Sequence, residues 1–234
     1  MDRDDPIADA RAVVAEFFPQ ARWSLLCGSV ITSARTSGSD LDLVVLLPDG
    51  DPQAPSRQSR IFRTWPVELF VYDEPSLNHY LGKELPSRRP TLNRMVASGM
   101  QLTGDAAQIQ SKCTEVLAAG PAPLTDAERD SRRYSLSDLL DDLTHAADPA
   151  ERTAIAATTW TAAAEHALAF NRHWTGAGKW LLRELRALDP NLADRWLAAH
   201  GNPPAITAFA HHILDQAGGP LFNGYHVPGD RPTT

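Results

Sequence analysis

A Gly28-Ser29 pair is followed by ten residues and then by Asp40-Leu41-Asp42, which opens an apolar run from Leu41 to Leu47. In a strand, side chains alternate between faces, so Asp40 and Asp42 point the same way at its start. Two carboxylates this close repel one another unless a cation lies between them. Hard oxygen donors in such a pair suit Mg²⁺. Glu68 is a lone acid inside a second apolar run, Val67 to Tyr72. An unpaired buried carboxylate there is costly, whereas a strand beside Leu41–Leu47 brings it to Asp40 and Asp42. Three carboxylates can hold two Mg²⁺ ions about 4 Å apart, the arrangement for in-line phosphoryl or nucleotidyl transfer. Gly28 lets a backbone approach a triphosphate, and neighbouring amides and the Ser29 hydroxyl can bond its oxygens. Plainer roles exist for each: turn residues for the aspartates, a solvated edge-strand acid for Glu68, and a helix N-cap for Ser29. Capping does not exclude phosphate contact.

The second half of the chain carries weaker signals. Lys179 follows Gly176-Ala177-Gly178 at a helix start, where an ammonium can face a triphosphate. The Gly-x4-Gly-Lys-Ser/Thr spacing is absent, and the alternative is a surface lysine beside a packed Trp180. Glu165, in an alanine-rich helix beside His166, is a second candidate general base. Asp138, Asp141 and Asp142 read mainly as a solvated face, with help in binding a cationic substrate the alternative for one of them. The histidines His145, His173, His200, His211 and His212 have no metal-ligand spacing, and Trp160, Trp174, Trp180 and Trp196 read mainly as core.

The elements that position these groups can be read from periodicity. Helical spacing runs from Ile7 to Phe18, ended by Pro19. Strands are expected at Trp23–Cys27, Leu41–Leu47, Ile61–Trp65, Val67–Tyr72 and Met100–Thr103. Short helices are expected at Pro75–Leu81 and Pro90–Ala97, and another from the Gly104-Asp105 cap to about Leu117. Composition changes at Gly120-Pro121-Ala122-Pro123, the best boundary in the chain. Everything beyond it is helical in pattern. Thr125 and Glu128 form a capping box for a helix to about Ala147. Further helices are expected at Pro149–Trp174, Lys179–Leu188, Asn191–Ala199 and Ala205–Ala217. The expected domains are 1–120 and 124–220, with 221–234 a flexible tail rich in Gly and Pro.

Bulk properties exclude several classes. The 234 residues are 43% hydrophobic and 22% charged, with a formal net charge of −7, which argues against a broad nucleic-acid surface. The two cysteines, Cys27 and Cys113, make no disulfide framework or metal cluster. No apolar run is long enough to span a membrane, and the charged Met1-Asp2-Arg3-Asp4-Asp5-Pro6 lacks a signal-peptide core. A cytoplasmic protein is the expectation.

Gly28-Ser29, the ten-residue spacer, Asp40-Leu41-Asp42 and Glu68 in a later strand resemble the DNA polymerase beta-like nucleotidyltransferase superfamily. The resemblance is specific through the Glu68 strand and extends loosely through Gly99-Met-Gln-Leu-Thr-Gly-Asp105. With an added helical bundle, it is similar to aminoglycoside and lincosamide nucleotidyltransferases, including the kanamycin type. That resemblance implies an α+β fold, a mixed sheet flanked by helices and followed by an all-α bundle. It implies Asp40, Asp42 and Glu68 as catalytic metal ligands for Mg²⁺, with Glu68 alternatively the general base. It implies Gly28, Ser29, Ser39 and Lys179 as nucleotide-binding residues. The implied reaction moves a nucleoside monophosphate from ATP, or another triphosphate, to a hydroxyl of a small molecule, such as an aminoglycoside-like antibiotic, sitting between the domains. The alternatives are a toxin-type enzyme modifying tRNA or protein, and a degenerate module that binds nucleotide without catalysis.

Overall fold

The structure is a computed structural model and describes residues 5–229. It divides at Gly120–Pro121 into two compact units. The first contains α1 (Pro6–Phe17), β1 (Trp23–Cys27), a 3₁₀ turn (Ser29–Ile31), β2 (Leu41–Leu46), β3 (Ser56–Phe62), β4 (Trp65–Tyr72), α2 (Glu74–Lys83), α3 (Thr91–Ser98), β5 (Met100–Gly104) and α4 (Ala107–Ala119). The strands form one sheet in the order β3-β4-β2-β1-β5. The β2–β4 pair is parallel and the other three pairs are antiparallel, so the sheet is mixed.

Both faces of this sheet are covered, which explains why β2 reads as an unbroken apolar run. Leu41, Leu43 and Val45, with Val67, Leu69 and Val71 of β4, pack against Ala10, Val13 and Val14 of α1. Val44 and Leu46, with Leu25 and Cys27 of β1, pack against Leu77 and Leu81 of α2 and Leu92 and Val96 of α3. Asp42 and Glu68 belong by alternation to this second face. The strand expected at Ile61–Trp65 lies instead at Ser56–Phe62, and Arg63-Thr64 form the turn into β4. β3 is an edge strand, and its Ser, Arg and Gln residues carry no apolar signal. Even Ile61 stands 71% exposed.

The second unit is all helical in its regular structure: α5 (Asp126–His145), α6 (Pro149–Phe170), α7 (Lys179–Leu188), α8 (Pro190–Ala199) and α9 (Pro203–Gln216). The Thr125–Glu128 capping box forms. Glu128 N donates to Thr125 Oγ1 at 3.2 Å, and Thr125 N donates to Glu128 Oε2 at 2.8 Å. Leu136, Leu140, Ala163, Ala167, Leu168, Leu185, Phe209 and Ile213 make the core. Trp160 and Trp196 stack 3.9 Å apart, each indole N–H donating to the other residue's carbonyl. Trp180 departs from the core expectation. It is 39% exposed on the first turn of α7, with the Arg183 guanidinium 4.8 Å over its ring. α6 stops at Phe170 rather than Trp174, because Asn171 turns its amide back to the Ala167 carbonyl and Arg172 takes a positive φ of 52°.

The segment after α9, expected to be loose from residue 221, is tied to α5. Arg133 donates to the Gly218 and Gly219 carbonyls at 2.9 Å each. Leu221 N donates to Ser137 Oγ at 3.0 Å, and the Tyr225 ring stacks on Tyr134 at 4.1 Å. Among the described residues no helix is long and apolar enough to cross a membrane. The chain is thus α+β, a mixed sheet flanked by helices and followed in sequence by a helical bundle.

Candidate active site

Asp42 is the second residue of β2 and is paired across the sheet with Cys27 of β1 and with Glu68 of β4. Neighbouring strands lie about 4.8 Å apart, so the three side chains form a row on one face. Asp40 precedes the strand, two residues from Asp42, and is half-buried. The structure therefore brings Asp42 and Glu68 together in register. It does not bring the three carboxylates into one cluster: among the described residues no group of three or more His, Cys, Asp or Glu stands arranged to hold a metal ion.

Glu68 has a partner of opposite charge: its Oε2 accepts a hydrogen bond from Arg57 Nη2 at 2.7 Å. Arg57 comes from β3, and its guanidinium also lies 4.8 Å over the Phe70 ring. The two side chains are 69% and 36% exposed, so this ion pair stabilises the fold by less than about 1 kcal/mol. It is a weak holder of Glu68, not a structural anchor. Sequence reasoning missed Arg57 because it missed β3. The signal that would have found it is an arginine two positions off the residue facing Glu68 in a hairpin.

Gly28 terminates β1 with φ 80° and ψ −164°, a region essentially reserved for glycine. A Cβ there would collide with Asp42 Oδ2 and come within 3.2 Å of Asp42 Cγ. The glycine is thus required twice, by backbone conformation and by the carboxylate against it. Its backbone is exposed and Ser29 is half-buried. The Ser29 and Ser39 hydroxyls are 2.9 Å apart, and Ser39 Oγ accepts from Thr36 N at 3.0 Å. Ser39 is buried and serves the inside of the loop, holding the approach to Asp40 against the Gly28-Ser29 turn.

Cys27 completes the row from the other side. Its thiol donates to the Met95 carbonyl of α3 at 3.2 Å. Burial, followed by the negative charge of Asp42, pushes its pKa up to about 12, so it remains a neutral thiol and no nucleophile.

In the second unit, Lys179 is exposed at the first position of α7. The preceding glycines have structural work of their own. A Cβ at Gly176 would press into Trp180, and Gly178 has φ 53°. Glu165 is half-buried on α6. His166 beside it is buried, with Nδ1 3.3 Å from Arg132 Nη1.

No family model matches the chain, and no curated protein matches it. Among solved structures it is similar to a nucleotidyltransferase-like protein from Exiguobacterium sibiricum 255-15, with 13% identity and a TM-score of 0.46 over 92% of this chain and 77% of that one.

Proposed function

We propose that the first unit is the catalytic unit of a nucleotidyltransferase, moving a nucleoside monophosphate from a nucleoside triphosphate, with ATP the first candidate, to a hydroxyl of a small acceptor. The observation that carries this reading is the row in which Gly28 backs onto Asp42 and Asp42 faces Glu68. One end of the row offers exposed backbone to phosphates, and the other offers carboxylates to a cation. The donor set is chemically apt for Mg²⁺, being all hard oxygen, with Asp40 and Asp42 as first ligands and Glu68 as third once Arg57 moves off it. A divalent cation there would neutralise charge gathering at phosphorus.

The residues divide the remaining work. Gly28 and Ser29 bind the β- and γ-phosphates. The acceptor oxygen bonds to the α-phosphorus, the bond from that phosphorus to the bridging oxygen breaks, and pyrophosphate leaves with the electron pair. In the alternative role, with the cation on Asp40 and Asp42 alone, Glu68 takes the hydroxyl proton, on the side of Asp42 away from the phosphate turn.

The test is transfer of label from α-³²P nucleoside triphosphates, with Mg²⁺, to a panel of small alcohols, antibiotics, tRNA and proteins. Asp42→Asn should abolish transfer and leave the circular dichroism unchanged. Retained transfer in that variant would reject the assignment of Asp42. A module that binds nucleotide without transferring it is the second reading, favoured by the hold of Arg57 on Glu68. Mg²⁺-dependent nucleotide binding with no transfer to any acceptor would select it.

A further inference from the structure

A cavity of about 500 Å³ opens in the first unit between the β3–β4 hairpin and helices α2 and α3. Its walls include Arg57, Phe70, Tyr72, Tyr80, Glu84 and Met95. Phe70 and Tyr72 follow Glu68 at two-residue steps on the same face of β4, each step about 7 Å. The Tyr72 and Tyr80 rings stand 5.5 Å apart at 50° to one another. Arg57 links cavity and site, since it lines the first and pairs with Glu68 in the second.

The direction of the proposed reaction selects this cavity. In-line displacement puts the incoming oxygen opposite the leaving pyrophosphate. Gly28-Ser29 lies on the β1 side of Asp42, and β4 lies on the other side of β2. The acceptor must therefore come from the β4 side, where Glu68 and the cavity are.

The lining also restricts the acceptor's chemistry. Two aromatic faces already carry the protein's own cations: Arg57 over Phe70 at 4.8 Å and Lys83 over Tyr80 at 5.6 Å. The lining carboxylate, Glu84, has both oxygens on Leu92 N, at 3.0 and 2.8 Å. Burial moreover raises its pKa, and its oxygens are already committed to the first turn of α3. A polycation meets the like charges of Arg57 and Lys83 there, whereas an uncharged ring meets no such repulsion and finds apolar contact with Phe70, Tyr72, Tyr80 and Met95.

We propose that this cavity is the acceptor subsite and that it takes a small alcohol built on a flat, uncharged ring, hydroxyl toward Glu68. The proposal rests on the nucleotidyltransferase reading for its role, but the binding of such a ring can be tested apart from it.

The chain has three methionines, so ¹³C-methyl labelling gives a sparse spectrum in which Met95→Leu identifies the Met95 signal. Titration of the full-length protein with 2-naphthylmethanol should move that signal, and an equal concentration of kanamycin should not. Tyr80 is partly exposed on α2, so Tyr80→Ala should fold and weaken 2-naphthylmethanol at least tenfold, while Tyr80→Phe restores binding. A Met95 signal unmoved by the alcohol, equal binding to Tyr80→Ala, or a larger shift with kanamycin would overturn the proposal. Mg²⁺-dependent ATP binding, measured by calorimetry on the same sample, separates the two claims. If the ring binds but Mg²⁺·ATP does not, the cavity is a ligand site and its role as acceptor subsite fails with the reaction. If Mg²⁺·ATP binds and the ring does not, only the subsite fails.

Discussion

The Asp42 carboxylate occupies the space that a side chain on Gly28 would need, and Gly28 has a backbone conformation that other residues adopt only under strain. Two elements distant in sequence are thereby locked into one geometry. Gly28→Ala should cost about 1–3 kcal/mol from backbone strain alone, and more from the collision with Asp42. The excess is separable by a double-mutant cycle. In an Asp42→Ala background the collision disappears, so Gly28→Ala should cost only the strain component when both are measured by urea denaturation. Additive costs would mean that the two residues do not constrain one another.

Glu68 is held by Arg57 through an exposed ion pair. Arg57→Ala should change stability by less than about 1 kcal/mol. The same substitution should lower, severalfold, the Mg²⁺ concentration that half-saturates nucleotide binding, because Glu68 no longer has to leave a cationic partner. Titrations of Mg²⁺ at fixed nucleotide, with wild type and variant side by side, measure this directly. An unchanged midpoint would show that Glu68 takes no part in holding the cation.

Much of this site was legible in the residues, and what was not has physical causes. β2 announced itself through an apolar run because both of its faces are buried, β4 through apolar residues alternating between buried and half-buried, and the nearness of Glu68 to Asp42 followed from placing those strands side by side. β3 did not, because none of its residues is buried: they alternate between half-buried and exposed, so this edge strand needs no apolar residues, and Arg57 was lost with it. Ser39 was legible as a polar residue next to Asp40 but not as a buried brace. That role depends on the fold of a loop whose bonds run between Ser29, Thr36 and Ser39. The capping box at Thr125 was legible because it is a local pattern with a local cause. The strap at residues 218–225 was not, since glycine and proline composition is silent about the carbonyls that Arg133 finds there.

His166 gives the second unit a pH dependence with a definite sign. Burial, then the positive charge of Arg132, lowers its pKa from 6.5 to about 4. The unfolded chain therefore takes up a proton below pH 6.5 that the folded chain refuses until about pH 4. The stability associated with neutral His166 is complete above pH 6.5 and is lost as pH falls toward 4, at most about 3 kcal/mol in all. Between pH 6.5 and 5, wild type should lose about 2 kcal/mol more than His166→Phe in urea denaturation. Equal losses would show that this imidazole titrates freely in the folded protein.

The strap after α9 makes a prediction about where the second unit ends energetically. Arg133, Ser137 and Tyr134 of α5 all have partners between Gly218 and Tyr225, and Arg133 is further fixed by Asp130 at 2.8 Å. Ending the chain after Ala217 removes the three hydrogen bonds to α5, each worth about 0.5–1.5 kcal/mol net, and the Tyr134–Tyr225 stack, worth about 1 kcal/mol. Ordering those residues costs entropy that partly offsets the gain, so the net loss should be about 1–3 kcal/mol. Tyr225→Ala isolates the stack and should account for about 1 kcal/mol of it. A truncated protein as stable as the full chain would mean that these contacts only balance the entropy of ordering the segment. Any loss of stability confined to Tyr225→Ala would place the hold on the rings rather than on the Arg133 bonds.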